Sequence, residues 1–298
     1  MEEDKEFRSG YVAIIGKPNV GKSTLLNSFL GEKLSIVTPK AQTTRNRITG
    51  ILTGENYQIV FLDTPGIFEP TYGLQRHMVQ NALKAASEAD LLLLMVEASD
   101  PPNELEKEIL GRIKNIKKDS ILVLNKVDRV QKDSLLPLIA AYHDQFGFEE
   151  IVPISALTGD GVSRLLGVIV QHLPAGGIYY PEDQISDLPE RFFIAEIIRE
   201  KVFLKTQQEI PYSTTVQVDE VKERKGGKIY VRATVYVERE SQKAIVIGDN
   251  GSMLKNIGRL AREEIERWLG ASVYLDLWVA VKRDWREKES DLREFGYQ

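Results

Sequence analysis

Eight consecutive residues, Gly16-Lys17-Pro18-Asn19-Val20-Gly21-Lys22-Ser23, carry the spacing Gly-x-x-x-x-Gly-Lys-Ser of a phosphate-binding loop. Glycines at that spacing let backbone N–H groups turn inward around phosphate oxygens, and the start of the next helix adds its partial positive charge. Lys22 is placed to reach the outer phosphates and Ser23 to ligate magnesium, with Asn19, Val20, Gly21 and Thr24 completing the cradle. Asp63-Thr64-Pro65-Gly66 would bring a carboxylate to the same metal and the Gly66 N–H to the terminal phosphate, whose loss would free the segment that follows.

Asn125-Lys126-Val127-Asp128 and Ser155-Ala156-Leu157 can choose a base. Guanine presents N1–H and an exocyclic amine, which the Asp128 carboxylate accepts in a fork; adenine has an acceptor at N1 and would leave a buried carboxylate without a partner. Asn125 would tie the loops together and contact the base, Lys126 would lie along its face, and a backbone N–H near Ala156 would read O6. The implied ligands are GTP or GDP with Mg2+, and an ATP-driven metabolic kinase is disfavoured.

Chemistry at these positions requires strand ends to deliver it. Tyr11–Ile15, Ile59–Leu62, Leu91–Val96, Ile121–Leu124 and Ile151–Ile154 are apolar runs of strand length, separated by helical spacing at Gln75–Ala89, Asn103–Lys114 and Gly161–His172. Strand, phosphate loop and helix follow in the order that gives the motif its meaning. The alternation predicts an α/β fold, a doubly wound and mainly parallel sheet, over residues 1–178. Leu91–Val96 is far too short to span a bilayer and reads as a strand buried on both faces.

Breakers then accumulate from Pro174 to Glu190, which predicts a linker over 179–190 and a second domain over 191–298. That domain reads as helix (192–204), strands (214–222 and 228–238) joined by a turn at Lys225-Gly226-Gly227, a short apolar stretch (244–247), helix (252–269) and strand (272–281). Before the second helix lies Gly248-Asp249-Asn250-Gly251. This order is that of an α+β type II KH domain, whose Gly-x-x-Gly loop clamps the backbone of a few unpaired nucleotides. Gly248, Asp249, Asn250, Gly251 and Ser252 form the loop, and Lys255, Arg259 and Arg262 supply cations on the helix after it. Asp249 is an oddity, since an acid in the clamp repels phosphate. Trp278-Val-Ala-Val-Lys-Arg-Asp-Trp285 fits either a base-stacking platform or, more commonly, aromatics buried in a strand.

The four nucleotide motifs resemble the translation-factor-like GTPases, and Ala41-Gln42-Thr43-Thr44-Arg45 looks like their first switch. That resemblance implies that Thr44, or its neighbour Thr43, closes on magnesium and the terminal phosphate. Ile67 stands where Ras-like GTPases place the glutamine that orients attacking water, so slow intrinsic hydrolysis is expected. With the glycine loop at 248–251 and Ser252-Met-Leu-Lys-Asn-Ile-Gly258 after it, nearly the whole chain is similar to the Era family, bacterial GTPases with a C-terminal KH domain. The resemblance implies binding at the 3′ end of 16S rRNA, a role in small (30S) subunit maturation, no DNA partner, and peripheral association with the inner membrane. A constitutive RNA-binding or membrane-peripheral adaptor with incidental turnover is the alternative.

Composition agrees: 298 residues and 42% hydrophobic content suit two globular domains. There is no cysteine and no N-terminal apolar run, so a cytoplasmic location without disulfides is expected. His77, His143 and His172 are scattered and suggest no metal cluster. The net charge of −5 does not advertise RNA binding, but between Lys222 and Arg262 ten Lys or Arg face four Asp or Glu, a local balance of +6. Such a patch predicts affinity that falls with salt.

Overall fold

A computed structural model describes residues 6–99, 102, 104–224 and 227–297. It divides into two compact units, one holding residues up to Val37, Thr44–Thr71 and Gln75–Asp187, the other Thr38–Thr43, Tyr72–Leu74 and residues from Leu188 on.

The first unit is built on β1 (Arg8–Gly16), followed by α1 (Lys22–Leu30), β2 (Ile48–Gly54), β3 (Tyr57–Asp63), α2 (Gly73–Glu88), β4 (Leu91–Glu97), α3 (Glu104–Lys114), β5 (Asp119–Asn125), α4 (Lys132–Phe146), β6 (Ile151–Pro153) and α5 (Val162–His172). Asn103, expected to open α3, lies outside the described residues. The sheet order is β2-β3-β1-β4-β5-β6. All neighbours are parallel except β2, which runs antiparallel to β3 at the edge. Apolar side chains cover both faces, as a sheet sandwiched between helices demands: β4 is buried from Leu91 to Val96. The chain leaves β1 for β3 on one side and places β4 on the other, so a crevice opens at the carboxyl ends of the central strands, where ligands of such sheets bind.

Two elements of this unit escape sequence periodicity. Edge strand β2 contains Gly50 and Gly54 and ends on half-buried residues, which hides the strand pattern. Helix α4 carries Pro137 in its interior, a residue that normally argues against a helix.

The expected linker is not free over its first half. The Gln58 side chain, fully buried in β3, accepts the N–H groups of Tyr179 (2.7 Å) and Tyr180 (3.0 Å) and donates to the Tyr180 carbonyl (2.8 Å). Ile51 N–H donates to the Ile185 carbonyl at 2.9 Å, and Ser186 Oγ to the Thr49 carbonyl at 2.6 Å. Breakers strip this segment of its own helix or strand bonds, and the first unit satisfies its backbone groups instead. The division between units falls after Asp187, inside the stretch 179–190.

The second unit comprises α6 (Glu190–Lys205), α7 (Ile210–Ser213), β7 (Thr215–Arg224), β8 (Lys228–Val237), α8 (Glu240–Ile247), α9 (Ser252–Leu269), β9 (Val273–Val281) and α10 (Glu289–Glu294). Central β8 pairs antiparallel with β7 and parallel with β9. Helices α6, α8 and α9 bring Ile194, Ile198, Val246, Ile257, Ala261 and Ile265 onto Val231, Ala233, Val235 and Val237. The turn expected at 225–227 falls largely outside the described residues, since Lys225 and Gly226 do.

Candidate functional site

The phosphate loop leaves β1 at Gly16, where a Cβ would come within 2.4 Å of the Met95 carbonyl oxygen; at Gly21 it would meet Asn125 Nδ2 at 2.2 Å, with a φ of +107° besides. Both positions therefore admit only glycine, for contact at the first and for backbone conformation and contact at the second. Asn19 also takes a positive φ of 63°, so the loop coils tightly enough to turn its N–H groups to one centre. Val20 is buried beneath it, while Thr24 is half-buried on α1.

Lys22 is buried with its Nζ folded back onto the carbonyls of Gly16 (3.2 Å) and Lys17 (2.9 Å). Burial pushes its ammonium down to about 8, with Asp63 pulling the other way. Asp63 is fully buried at the end of β3, and burial raises its carboxyl against the hydrogen bonds that favour the anion. Its Oδ2 accepts Ser23 Oγ at 2.7 Å and Ser35 Oγ at 2.9 Å; its Oδ1 is buried with no partner. Ser23 Oγ lies 2.8 Å from Thr44 Oγ1. A carboxylate and two hydroxyls thus converge beside a desolvated ammonium, and both charged groups lack solvation. An orphaned carboxylate oxygen among hard oxygen donors fits Mg2+, and the buried lysine fits a phosphate.

Between the two threonines the geometry distinguishes clearly. Thr43 Oγ1 is taken by Thr38 Oγ1 at 2.6 Å and the Lys40 carbonyl at 2.8 Å, whereas Thr44 faces Ser23. Gly66 packs on the phosphate loop, and Thr64 Oγ1 anchors the segment to the Ile14 carbonyl at 2.7 Å. Ile67 is buried in the core, and its N–H donates to the Gly16 carbonyl at 3.1 Å.

The base loops meet at Asn125, whose Nδ2 donates to the Val20 carbonyl (2.7 Å) and whose Oδ1 accepts the Ala156 N–H (2.9 Å). Asn125 ties the loops as expected, while the N–H assigned to O6 is engaged by Asn125 in this structure. Lys126, in a left-handed conformation, pairs with Glu97 at 2.8 Å. Ser155 is buried and its Oγ accepts the Thr158 N–H at 3.2 Å; Leu157 is exposed at the rim. Asp128 is exposed on a short 3-10 turn, Val127–Arg129. The expectation of a buried carboxylate is therefore corrected: without a base over it, this group is open to water.

Two residues were illegible beforehand. Ser35 reaches Asp63 from a loop, and Asn27 on α1 holds that loop, donating to the Ser35 carbonyl (2.8 Å) and accepting the N–H groups of Leu34 (3.0 Å) and Ser35 (2.9 Å). Their only sequence signal is polarity near the motif. Asn27→Ala is expected to weaken magnesium-dependent GTP binding about tenfold and to lower stability by about 1–3 kcal/mol, the cost of stranding part-buried backbone groups. Nucleotide titrations at several Mg2+ concentrations and a denaturant melt test it; unchanged values in both would remove Asn27 from the site.

In the second unit Gly248 (φ 71°), Asn250 (φ 50°) and Gly251 (φ 76°) bend a short 3-10 turn into the start of α9. A Cβ on Gly248 would lie 2.8 Å from Met253 N, so the loop approaches α9 too closely for any side chain there. Asp249 and Ser252 are exposed beside it. Lys255, Arg259 and Arg262 lie exposed on one face of α9, opposite Ile257, Ala261 and Ile265, and Arg259 pairs with Glu263 at 2.8 Å. The Trp278–Trp285 stretch splits: Trp285 is fully buried, its Nε1 donating to the Ser213 carbonyl at 2.9 Å, and Trp278 is exposed.

Comparison with known proteins agrees with both halves. Residues 11–126 match the family described as 50S ribosome-binding GTPase, and residues 209–286 match the KH domain. GTPase Era of Geobacter metallireducens is 53% identical and that of Geotalea uraniireducens 51%, each over 99% of both chains. Two solved structures superpose with a TM-score of 0.95 over 98% of this chain and 99% of theirs. One, 44% identical, is a point variant of Aquifex aeolicus Era bound to GDP.AlF4-; the other, 45% identical, is Era in complex with MgGDPNP and nucleotides 1506–1542 of 16S ribosomal RNA. With full-length identity above one half to the Geobacter and Geotalea relatives, the chain belongs to the Era family of GTPases.

Proposed function

We propose that this protein is a GTP-hydrolysing switch that binds the 3′ region of 16S rRNA through its glycine clamp and serves assembly of the small (30S) ribosomal subunit. The observation that carries the reading is the convergence of Lys22, Ser23, Thr44 and Asp63 in a chain that also presents Gly248–Gly251 at a helix start. Ser23, Thr44 and Asp63 would hold Mg2+, which would supply neutralisation of the charge on the phosphates. Lys22 exchanges the Gly16 and Lys17 carbonyls for the outer phosphates, whose negative charge favours the ammonium that burial disfavours. Gly66 offers its N–H to the terminal phosphate, and Thr44 and residues 63–67 are the elements that phosphate loss releases. Asp128 and Asn125 select guanine. With Ile67 packed in the core, water is oriented by another group or a partner, and intrinsic turnover is slow.

In the second unit, the N–H groups at the start of α9 take a phosphate, with Lys255, Arg259 and Arg262 beside it. The Era–RNA complex supports this assignment of target. The same family reading carries a cytoplasmic location with peripheral association at the inner membrane; among the described residues no helix is long and apolar enough to cross one.

The test is binding of a labelled RNA matching the 3′ end of 16S rRNA to protein loaded with a non-hydrolysable GTP analogue or with GDP, repeated with Gly251→Asp. Affinity that depends on the nucleotide and is lost in the variant is expected. Substitution at φ +76° is strained, and the added carboxylate repels the phosphate. Equal affinity in both states would overturn the gating and leave a constitutive adaptor.

A further inference from the structure

Half of the outer face of the second unit's sheet is uncovered, and its chemistry is specific. Alternation along β8 sends Val231, Ala233, Val235 and Val237 to the helices and the residues between them to the other side. Register places Tyr230 beside Tyr274, Thr234 beside Trp278, Lys222 beside Tyr230 and Arg224 beside Lys228 on that outer side. At one end of it Phe295 packs on Tyr236 at 5.0 Å, and Tyr297 bonds the Thr215 hydroxyl at 2.9 Å. The hairpin end has no such cover: Tyr274 is 51% exposed and Trp278 60%.

Tyr230 and Tyr274 stack at 5.9 Å with 15° between their planes, and the Arg224 guanidinium stands 4.2 Å from the centre of the Tyr230 ring. Lys228 Nζ is 5.9 Å from the Tyr274 ring. The acids of this face are already engaged, Glu220 by Lys222 and Arg232, Asp276 by the Tyr230 hydroxyl and Asp219 by Thr234. Among the described residues Arg224 and Lys228 pair with no carboxylate. Exposed rings beside two cations without a direct ion pair complement flat groups strung on an anionic backbone.

We propose that this half-face is a second RNA contact, which stacks unpaired bases on Tyr274 and Trp278 and holds their phosphates with Arg224 and Lys228. Four residues of strand separate the two rings by about 13 Å, so each takes its own base. Helices α8 and α9, which carry the glycine clamp, pack on the opposite side of the sheet, so the clamp and this face contact different stretches of RNA. The inference rests on the RNA-binding reading above and extends it to a site outside the KH clamp.

The test uses the full chain with the clamp disabled by Gly251→Asp and a labelled, unstructured RNA of about 20 nucleotides that lacks the 16S 3′-end sequence. Anisotropy is expected to show residual, salt-sensitive binding. Adding Tyr274→Ala and Trp278→Ala is expected to weaken it about tenfold or more. Arg224→Gln with Lys228→Gln is expected to weaken it and to lower the salt slope by about two phosphates. Each added substitution is read against the clamp-disabled parent, and an unchanged circular dichroism spectrum shows that the second unit is folded. No binding by the clamp-disabled protein, equal binding by the aromatic variant, or binding to phosphatidylserine vesicles in place of RNA would each overturn the proposal. Failure of nucleotide gating at the clamp is a separate result, because this assay compares no nucleotide states.

Discussion

Asp128→Asn is expected to exchange guanine for xanthine as the preferred base. The wild-type carboxylate accepts two donors from guanine. An amide there keeps one acceptor and replaces the other with a donor, which meets the guanine amine donor to donor but suits the carbonyl that xanthine carries at that position. Two hydrogen bonds to a charged acceptor are worth about 3–6 kcal/mol together, so GTP affinity should fall by about two to four orders of magnitude. The effect on stability should be small, because Asp128 is exposed and the change is isosteric. Competition between GTP and XTP for the loaded protein reads the outcome directly. Undiminished GTP binding with no gain for XTP would remove Asp128 from the base site, and with it the argument that excludes ATP.

The same residue shows where sequence reading stops. Motif spacing places Asp128 one turn beyond β5, because strand ends deliver loops predictably, but spacing says nothing of solvation: the carboxylate is exposed. Buried strands were legible for a simple reason. Leu91–Val96 is apolar on both faces, and a short apolar run of that length suits a strand buried in a parallel sheet. Edge strand β2 was not, since glycines dilute it and its order comes from pairing with β3. The tie between Ser35 and Asp63 spans 28 residues, and no local period encodes a contact made by the closing of a loop. Gln58 shows the same limit, because a polar residue inside a strand looks like an edge position until its partners at Tyr179 and Tyr180 are known. Trp278 and Trp285 carry the same side chain in one stretch, and only the register of β9 and the fold of the tail separate the exposed ring from the buried one.

Gly66→Ala is expected to uncouple nucleotide binding from hydrolysis. A Cβ at this position would fall 2.4 Å from Pro18 N and 2.7 Å from Pro18 Cα, backbone atoms that cannot swing aside as a side-chain tip would. On either side the segment is pinned: Thr64 Oγ1 holds the Ile14 carbonyl, and Ile67 is sunk in the core with its N–H on the Gly16 carbonyl. With both ends fixed, the clash is relieved only by lifting residue 66 off the phosphate loop, which withdraws its N–H from the place of the terminal phosphate. Removing one such donor from a developing anion costs about 10²–10³ in turnover. GDP makes no contact there, so its affinity should change far less than the rate. Single-turnover hydrolysis beside GDP titration separates the two: a full rate would mean that Gly66 is a packing residue alone, and equal losses in both would mean that the phosphate loop, rather than residue 66, gave way.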